Sequence, residues 1–220
     1  MSDTRFTDQL RQANADVWEQ AVGHRFVQQL WAGQVPDEVM AHYLVQDYRF
    51  LDSFLTLLGA AIATADTLQA RLRLGRFAGM ISSDENTYFL RCFDSLGVSE
   101  QRRLHEPDAA PTAGFQALMR EAAATRDYAA ALAVLTVAEW LYLDWAARGT
   151  DAGRLMLARF EHAEWITLHD NPFFRDFVAF LRAELDRVSA ANAAASARAH
   201  DFFRRAMALE LAFFDEAYKA

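Results

Sequence analysis

The chain has one cysteine, Cys92, with four prolines and nine glycines in 220 residues. A single thiol excludes an intramolecular disulfide and a cysteine-built metal cluster. With so few helix breakers and almost no β-branched runs, a many-turned β architecture is excluded as well. Basic residues are outnumbered: 22 Lys and Arg against 30 Asp and Glu give a net charge of −8 and a pI near 5.2. That balance argues against nucleic acid or an anionic membrane as partner, because both are bound through positive patches. No apolar run reads as long enough to span a membrane. The opening MSDTRFTDQLRQ is polar and lacks the apolar segment of a secretory signal. A reducing cytoplasm is the expected compartment.

Alanine and large apolar residues are abundant. The chain is 53% hydrophobic and 13% aromatic, enough for one sizeable core. The apolar period is helical almost everywhere and predicts helices over about 3–22, 24–33, 37–63, 67–95, 112–123, 127–148, 152–168, 173–190 and 192–218. VPDE, with Pro36, starts the third. LGVSEQRRLHEPDAAP is the longest expected loop, and Pro172 in HDNPF separates two late helices. No composition shift marks a linker. One all-α domain over residues 1–220 is expected, a bundle of long helices.

Four of those helices carry an anomaly. In YLVQDYRFLDSFL, Met40, Tyr43, Leu44, Phe50, Leu51, Phe54 and Leu58 share a stripe with Asp47 inside it, while Gln46, Arg49, Asp52 and Ser53 fall on the other side. Glu139 lies within the face of Leu132, Leu135, Tyr142, Leu143 and Ala146. Glu210 lies among Phe203, Ala206, Met207, Phe213, Phe214 and Ala217, and Glu85 among Phe77, Ile81, Tyr88, Phe89 and Cys92. A buried, unpaired carboxylate costs several kcal/mol or takes up a proton. Pairing with arginine is the plain explanation for any one acid. Yet Arg49, Arg71, Arg73, Arg76, Arg182 and Arg187 read as solvent-facing, so one cavity shared by the acids explains the set better.

Two chemistries suit converging carboxylates in a bundle. A di-metal site needs Glu and His at fixed spacings from facing helices. An organic pocket uses acids to read amino and ring N–H groups and to move protons. The aromatics favour the second. Tyr43, Tyr48, Phe50, Tyr88, Phe115, Tyr142, Trp165 and Phe213 fall at or near the same faces, where they serve either as core or as a sandwich for a flat heterocycle.

The residues FTDQL, Trp18-Glu19, His24-x-Phe26-Val27 and Tyr43-Leu-x-Gln46-Asp47-Tyr48, followed much later by Glu164-Trp165-Ile166 and LELAFFDEAY, resemble in order and spacing the TenA family of haem-oxygenase-like fold. The resemblance spans essentially the whole chain. It implies a metal- and cofactor-free hydrolase of aminopyrimidines in thiamin breakdown and salvage, assembled as a homo-oligomer, dimer or tetramer. By position, Asp47 matches the acid that binds the aminopyrimidine, Glu210 the second essential acid, Phe213 a pocket aromatic, and Tyr142 the tyrosine closing a Cys-x-Trp-x-Tyr motif.

The departures from the family pattern are informative. Ala138 stands where thiaminase-type members have a nucleophilic cysteine, and Cys92 has no place in the motif. Glu139, three residues before Tyr142, matches the cysteine-lacking, glutamate-type subgroup, which implies Glu139 and Glu210 as the catalytic pair. Phe50 and Phe115 replace tyrosines common in the family, and His169 replaces a tyrosine after Trp165-Ile166. The implied substrate-binding set is Asp47, Tyr43, Tyr88, Phe50, Phe115, Tyr142, Trp165, His169 and Phe213. Two alternatives stay open. Glu85, Glu139 and His169 also resemble part of the ligand set of haem-oxygenase-like di-iron oxygenases, although Cys92, Phe173 and Asp176 occupy other ligand positions of that set. His24 could be offered as an axial haem ligand, but its match in the TenA family is structural. The third reading is a pyrimidine-binding protein without catalysis.

Overall fold

The computed structural model describes residues 4–190 and 192–219. The expected helix start at residue 3 therefore lies outside the described residues. The elements in order are α1 (Phe6–Ala13), α2 (Ala15–Val22), α3 (Arg25–Trp31), α4 (Asp37–Thr64), α5 (Leu68–Met80), a π turn (Ile81–Glu85), α6 (Asn86–Ser95), α7 (Glu100–His105), α8 (Ala110–Ala124), α9 (Tyr128–Ala146), α10 (Asp151–Leu155), α11 (Phe160–His169), α12 (Pro172–Ala190) and α13 (Ala193–Glu216). No strand occurs among the described residues.

Local chemistry accounts for the boundaries. Thr67, Asp127 and Asn192 accept backbone N–H groups at the starts of α5, α9 and α13, the usual answer to the orphan donors of a first turn. Gly33 and Gly97 end α3 and α6 with φ of +67°, a conformation in which a Cβ would crowd the next carbonyl. His24 caps α3: its Nδ1 accepts from Phe26 N at 3.1 Å, and its Nε2 meets Asp215 at 3.2 Å. Both ring nitrogens are engaged, which leaves none for an axial metal bond.

Three expected helices are interrupted. Asn14 turns its amide onto Leu10 O at 2.8 Å and parts α1 from α2. The 67–95 segment carries the π turn, and 152–168 divides into α10 and α11. The loop before Pro111 holds the short α7.

α9 is the axis of the bundle, with α13, α12, α4, α8, α11 and α2 packed around it. Seventeen of its residues are buried, on every side, as expected of a helix without a polar face. It is also long and apolar enough to cross a membrane by length and composition, which corrects the sequence reading. Its place is the core, where 89% of that stretch is buried.

α4 departs from its expected two faces. Gln46 and Ser53 are buried, not solvent-facing. Gln46 Nε2 donates to Glu106 at 3.1 Å and to Pro107 O at 3.1 Å, and its Oε1 accepts from Ala109 N and Thr112 Oγ1. All four of its hydrogen-bonding positions are used. With His42 on Glu106 and Arg49 on Asp108, it straps the α7–α8 connection along α4. Ser53 accepts from Arg120 Nε at 3.0 Å. Both polar partners lie far along the chain, where periodicity carries no information about them.

Gly149 follows α9 beneath the Trp31 ring, whose Nε1 donates to Trp145 O at 3.2 Å. A Cβ at Gly149 would come within 2.4 Å of that ring. Gly149→Ala should destabilise the protein by about 1–3 kcal/mol, the usual cost of overpacking. Urea denaturation checks this, and a neutral result would mean that Trp31 is free to swing aside.

Candidate functional site

Six elements meet around one cavity with about 490 Å³ of non-atom space, the open solvent at its mouth included. α4 contributes Asp47, Phe50, Leu51 and Phe54 at three- and four-residue steps along one face. The π turn supplies Ile81 and Glu85, and α8 supplies Phe115. Ala138, Glu139 and Tyr142 come from α9, Trp165 and His169 from α11, and Glu210 and Phe213 from α13.

All four anomalous acids therefore face one space. Each is buried. Asp47, Glu85, Glu139 and Glu210 share no hydrogen bond or ion pair with any described residue, nor with one another. The arginines are occupied elsewhere: Arg49 with Asp108, Arg73 with Asp176, Arg187 with Asp66 and Glu184. Arg182, expected to face solvent, is instead half-buried, its guanidinium 3.8 Å from the centre of the Trp140 ring. It too stays away from the cavity.

The electrostatic result follows from burial without partners. Burial pushes the Asp47 carboxyl up to about 8. Burial, and then the charge of Asp47, brings Glu85 to about 8. Glu139 is raised well above the ordinary carboxylate range by burial, then by Glu85, Glu210 and Asp47. Glu210 is raised by burial and by Asp47. Each acid makes ionisation of its neighbours harder, so they titrate as a coupled set. Burial holds His169 down to about 4, so its ring is neutral at pH 7. Its Nδ1 donates to Trp165 O at 2.8 Å, which leaves Nε2 as an acceptor.

The walls are aromatic. Phe50 and Phe115 meet edge to face at 5.1 Å. Tyr142 lies 4.8 Å from the His169 ring. Two expected substrate-binding residues, Tyr43 and Tyr88, are not in the lining. Tyr43 sits one layer back and shares a 2.8 Å hydrogen bond between its hydroxyl and that of Tyr142. Tyr88 stacks on Trp165 at 5.2 Å and donates to Glu161 O at 2.6 Å. Tyr48 packs against Phe89 and Phe93, also outside the lining. These tyrosines hold the wall in place and do not form it.

Leu51, Phe54, Ile81 and Ala138 join the lining without having been singled out as ligand contacts. The stripe positions of Leu51, Phe54 and Ile81 carried that information. Ala138 presents only a methyl group to the cavity. Cys92 is buried in α6, outside the lining, and burial lifts its thiol to about 12. Of the remaining di-iron positions, Asp176 lies on the surface with Arg73. Among the described residues, no three His, Cys, Asp or Glu side chains are disposed to hold a metal ion.

This helical architecture is the haem-oxygenase-like bundle. A TenA homologue from P. horikoshii OT3 superposes with a TM-score of 0.86 at 20% identity, covering 98% of this chain and 99% of its own. A TenA family transcription regulator from Silicibacter sp. TM1040 gives 0.84 at 21% identity over 99% of each chain. The aminopyrimidine aminohydrolase of Bacillus subtilis (strain 168) is 26% identical over 178 residues, 79% of this chain and 72% of its own. The model of the TENA/THI-4/PQQC family matches residues 11–220. The chain belongs to that family.

The raised carboxyls carry a sign. An acid whose folded pKa lies above its unfolded value takes up a proton on folding. Its cost is absent below the unfolded value, grows as pH rises, and is complete above the folded one. For Asp47 that window runs from 3.8 to about 8. Asp47→Asn should therefore stabilise the ligand-free protein more at pH 8 than at pH 5, by roughly 1–5 kcal/mol. Thermal melts at the two pH values check it, and equal gains would contradict the assignment.

Proposed function

We propose that the protein hydrolyses a carbon–nitrogen bond of an amino- or formylamino-pyrimidine from thiamin breakdown, without a cysteine nucleophile. One observation carries the reading: four unpartnered carboxyls on a single aromatic-walled cavity, with Ala138 at the thiol position. The Bacillus subtilis relative named as an aminopyrimidine aminohydrolase supports it.

Such a cavity discriminates by chemistry. It offers several acids and, with His169 neutral, no cationic side chain, so an anionic ligand meets nothing that answers its charge. A flat ring bearing amino groups supplies the missing donors, and the aromatic walls take its faces. In this mechanism Asp47 accepts from the exocyclic amine of the pyrimidine, and Glu210 holds the ring beside it. Phe213 lies against the ring. Ligand N–H groups replace the protons that the empty site keeps on its acids, which frees a carboxylate for base chemistry.

Glu139 is the general base. It takes a proton from water as oxygen attacks the carbon bearing the leaving nitrogen, then returns that proton to the departing amine. Carbon–oxygen replaces carbon–nitrogen, and no covalent enzyme intermediate forms. Apolar burial on α9 suits Glu139 to this task, since a carboxylate of ordinary pKa would take the proton from water too weakly.

Glu139→Gln should lower kcat at least a hundredfold, in line with the loss of a general base, and leave pyrimidine affinity largely intact. Asp47→Ala should instead weaken binding. Turnover of aminopyrimidine and formylaminopyrimidine, followed with and without a chelator, decides the class. Chelator-insensitive hydrolysis supports the reading. Iron-dependent oxygen uptake would move the protein to the di-iron enzymes, and binding with no turnover would make it a pyrimidine-binding protein.

A further inference from the structure

One cavity acid, Glu85, has no part in the hydrolysis described. Its position is built, not incidental. It closes the π turn Ile81–Glu85, where a wider winding interrupts the α5–α6 helix, a device frequent at functional sites. The sequence Ser82-Ser83 supports that turn. Ser82 Oγ donates to Ala78 O and Ser83 Oγ to Gly79 O, both at 2.8 Å, and Thr87 Oγ1 donates to Ser83 O at 2.7 Å. Hydroxyls bonded four residues back compete with the regular ladder and bend a helix. The turn delivers a carboxyl that is only 8% exposed, lines the cavity and has no partner.

A buried carboxyl kept without a protein partner points to a partner in the ligand. The surrounding groups narrow what that partner is. Asp47, Glu139 and Glu210 are acids, and the His169 Nε2 is an acceptor. The Tyr142 hydroxyl is already shared with Tyr43. The pyrimidine head needs Asp47 and Glu210, and water needs Glu139. Glu85 remains for a second nitrogen. An alkylamine, cationic at neutral pH like lysine, brings several donors and a charge. Formylation turns that nitrogen into a neutral amide, which removes the charge that a carboxylate at Glu85 would answer.

We propose that Glu85 is a specificity-determining residue that receives a basic amine on the substrate, so that the cavity takes alkylamine-bearing pyrimidines in preference to their N-formyl counterparts. This rests on the pyrimidine hydrolase reading and narrows its choice of substrate. The amine that Glu85 holds is the leaving group. Its carbon–nitrogen bond breaks as the water oxygen bonds to carbon, and the water proton passes through Glu139 to the departing ammonia, which leaves as ammonium.

The test compares kcat/KM for an aminomethyl-pyrimidine and its N-formyl derivative in the wild type, in Glu85→Gln, and in the double variant Ser82→Ala with Ser83→Ala. The wild type should prefer the amine. Glu85→Gln should cut that preference about tenfold or more through KM, as expected from the loss of one charge-assisted contact. The double variant keeps the acid but loosens its turn, and should cut the preference less. Glu139→Gln should lower kcat for both compounds alike. An unchanged preference in both Glu85→Gln and the double variant would overturn the role of Glu85. If the wild type turns over neither compound, the hydrolase reading fails. The ratio of the two dissociation constants, measured by calorimetry on the wild type and Glu85→Gln, then decides the assignment of Glu85 by the same criterion.

Discussion

Four carboxyls share a low-dielectric hollow with no cation to answer them, and much of the structure is arranged around that constraint. Bringing even one such group out of water is unfavourable, and bringing four together multiplies the difficulty by mutual repulsion. The surrounding framework must hold the arrangement without relaxing it. α9 does so by being apolar on all sides, so that Glu139 can be fixed at the centre with helices packed around it. Without a ligand the site then keeps its protons.

A second layer of aromatic and amide side chains keeps the walls in register. The Tyr43–Tyr142 hydroxyl pair ties α4 to α9 directly behind the pocket. Tyr88 anchors the Trp165 wall through stacking and through its bond to Glu161 O. Gln46, next to Asp47 in the chain, locks the start of α8 against α4 and so sets where Phe115 faces the cavity. A fully satisfied buried amide of this kind specifies one arrangement more sharply than apolar packing does.

Much of this was legible in the chain. The 3.6-residue period assigned Asp47, Phe50, Leu51 and Phe54 to one face, and an acid in an apolar stripe is a conspicuous violation of local rules. The same period could not separate lining from backing, because Tyr43 and Tyr88 lie on buried faces but point behind the wall. Gln46 and Ser53 were misread for a related reason: their partners, at Glu106–Thr112 and Arg120, come from another part of the chain. The π turn was illegible because the four-residue steps Phe77, Ile81 and Glu85 fit a wide turn and a regular one alike. Only Ser82-Ser83 hinted at it, and hydroxyl pairs are common on ordinary solvent-facing helices. The break at Asn14 was missed likewise, since the apolar pattern runs on across it.

α9 has one more consequence, and it concerns birth rather than function. On the ribosome this stretch emerges well before α12 and α13, which supply much of its cover, and α13 ends only at Glu216. At roughly 5–20 residues per second, synthesis leaves a greasy nineteen-residue rod uncovered for seconds. During that interval its composition is that of a bilayer-crossing segment, so the nascent polypeptide depends on its own C-terminal third, or on a chaperone, to keep that rod from alternative partners.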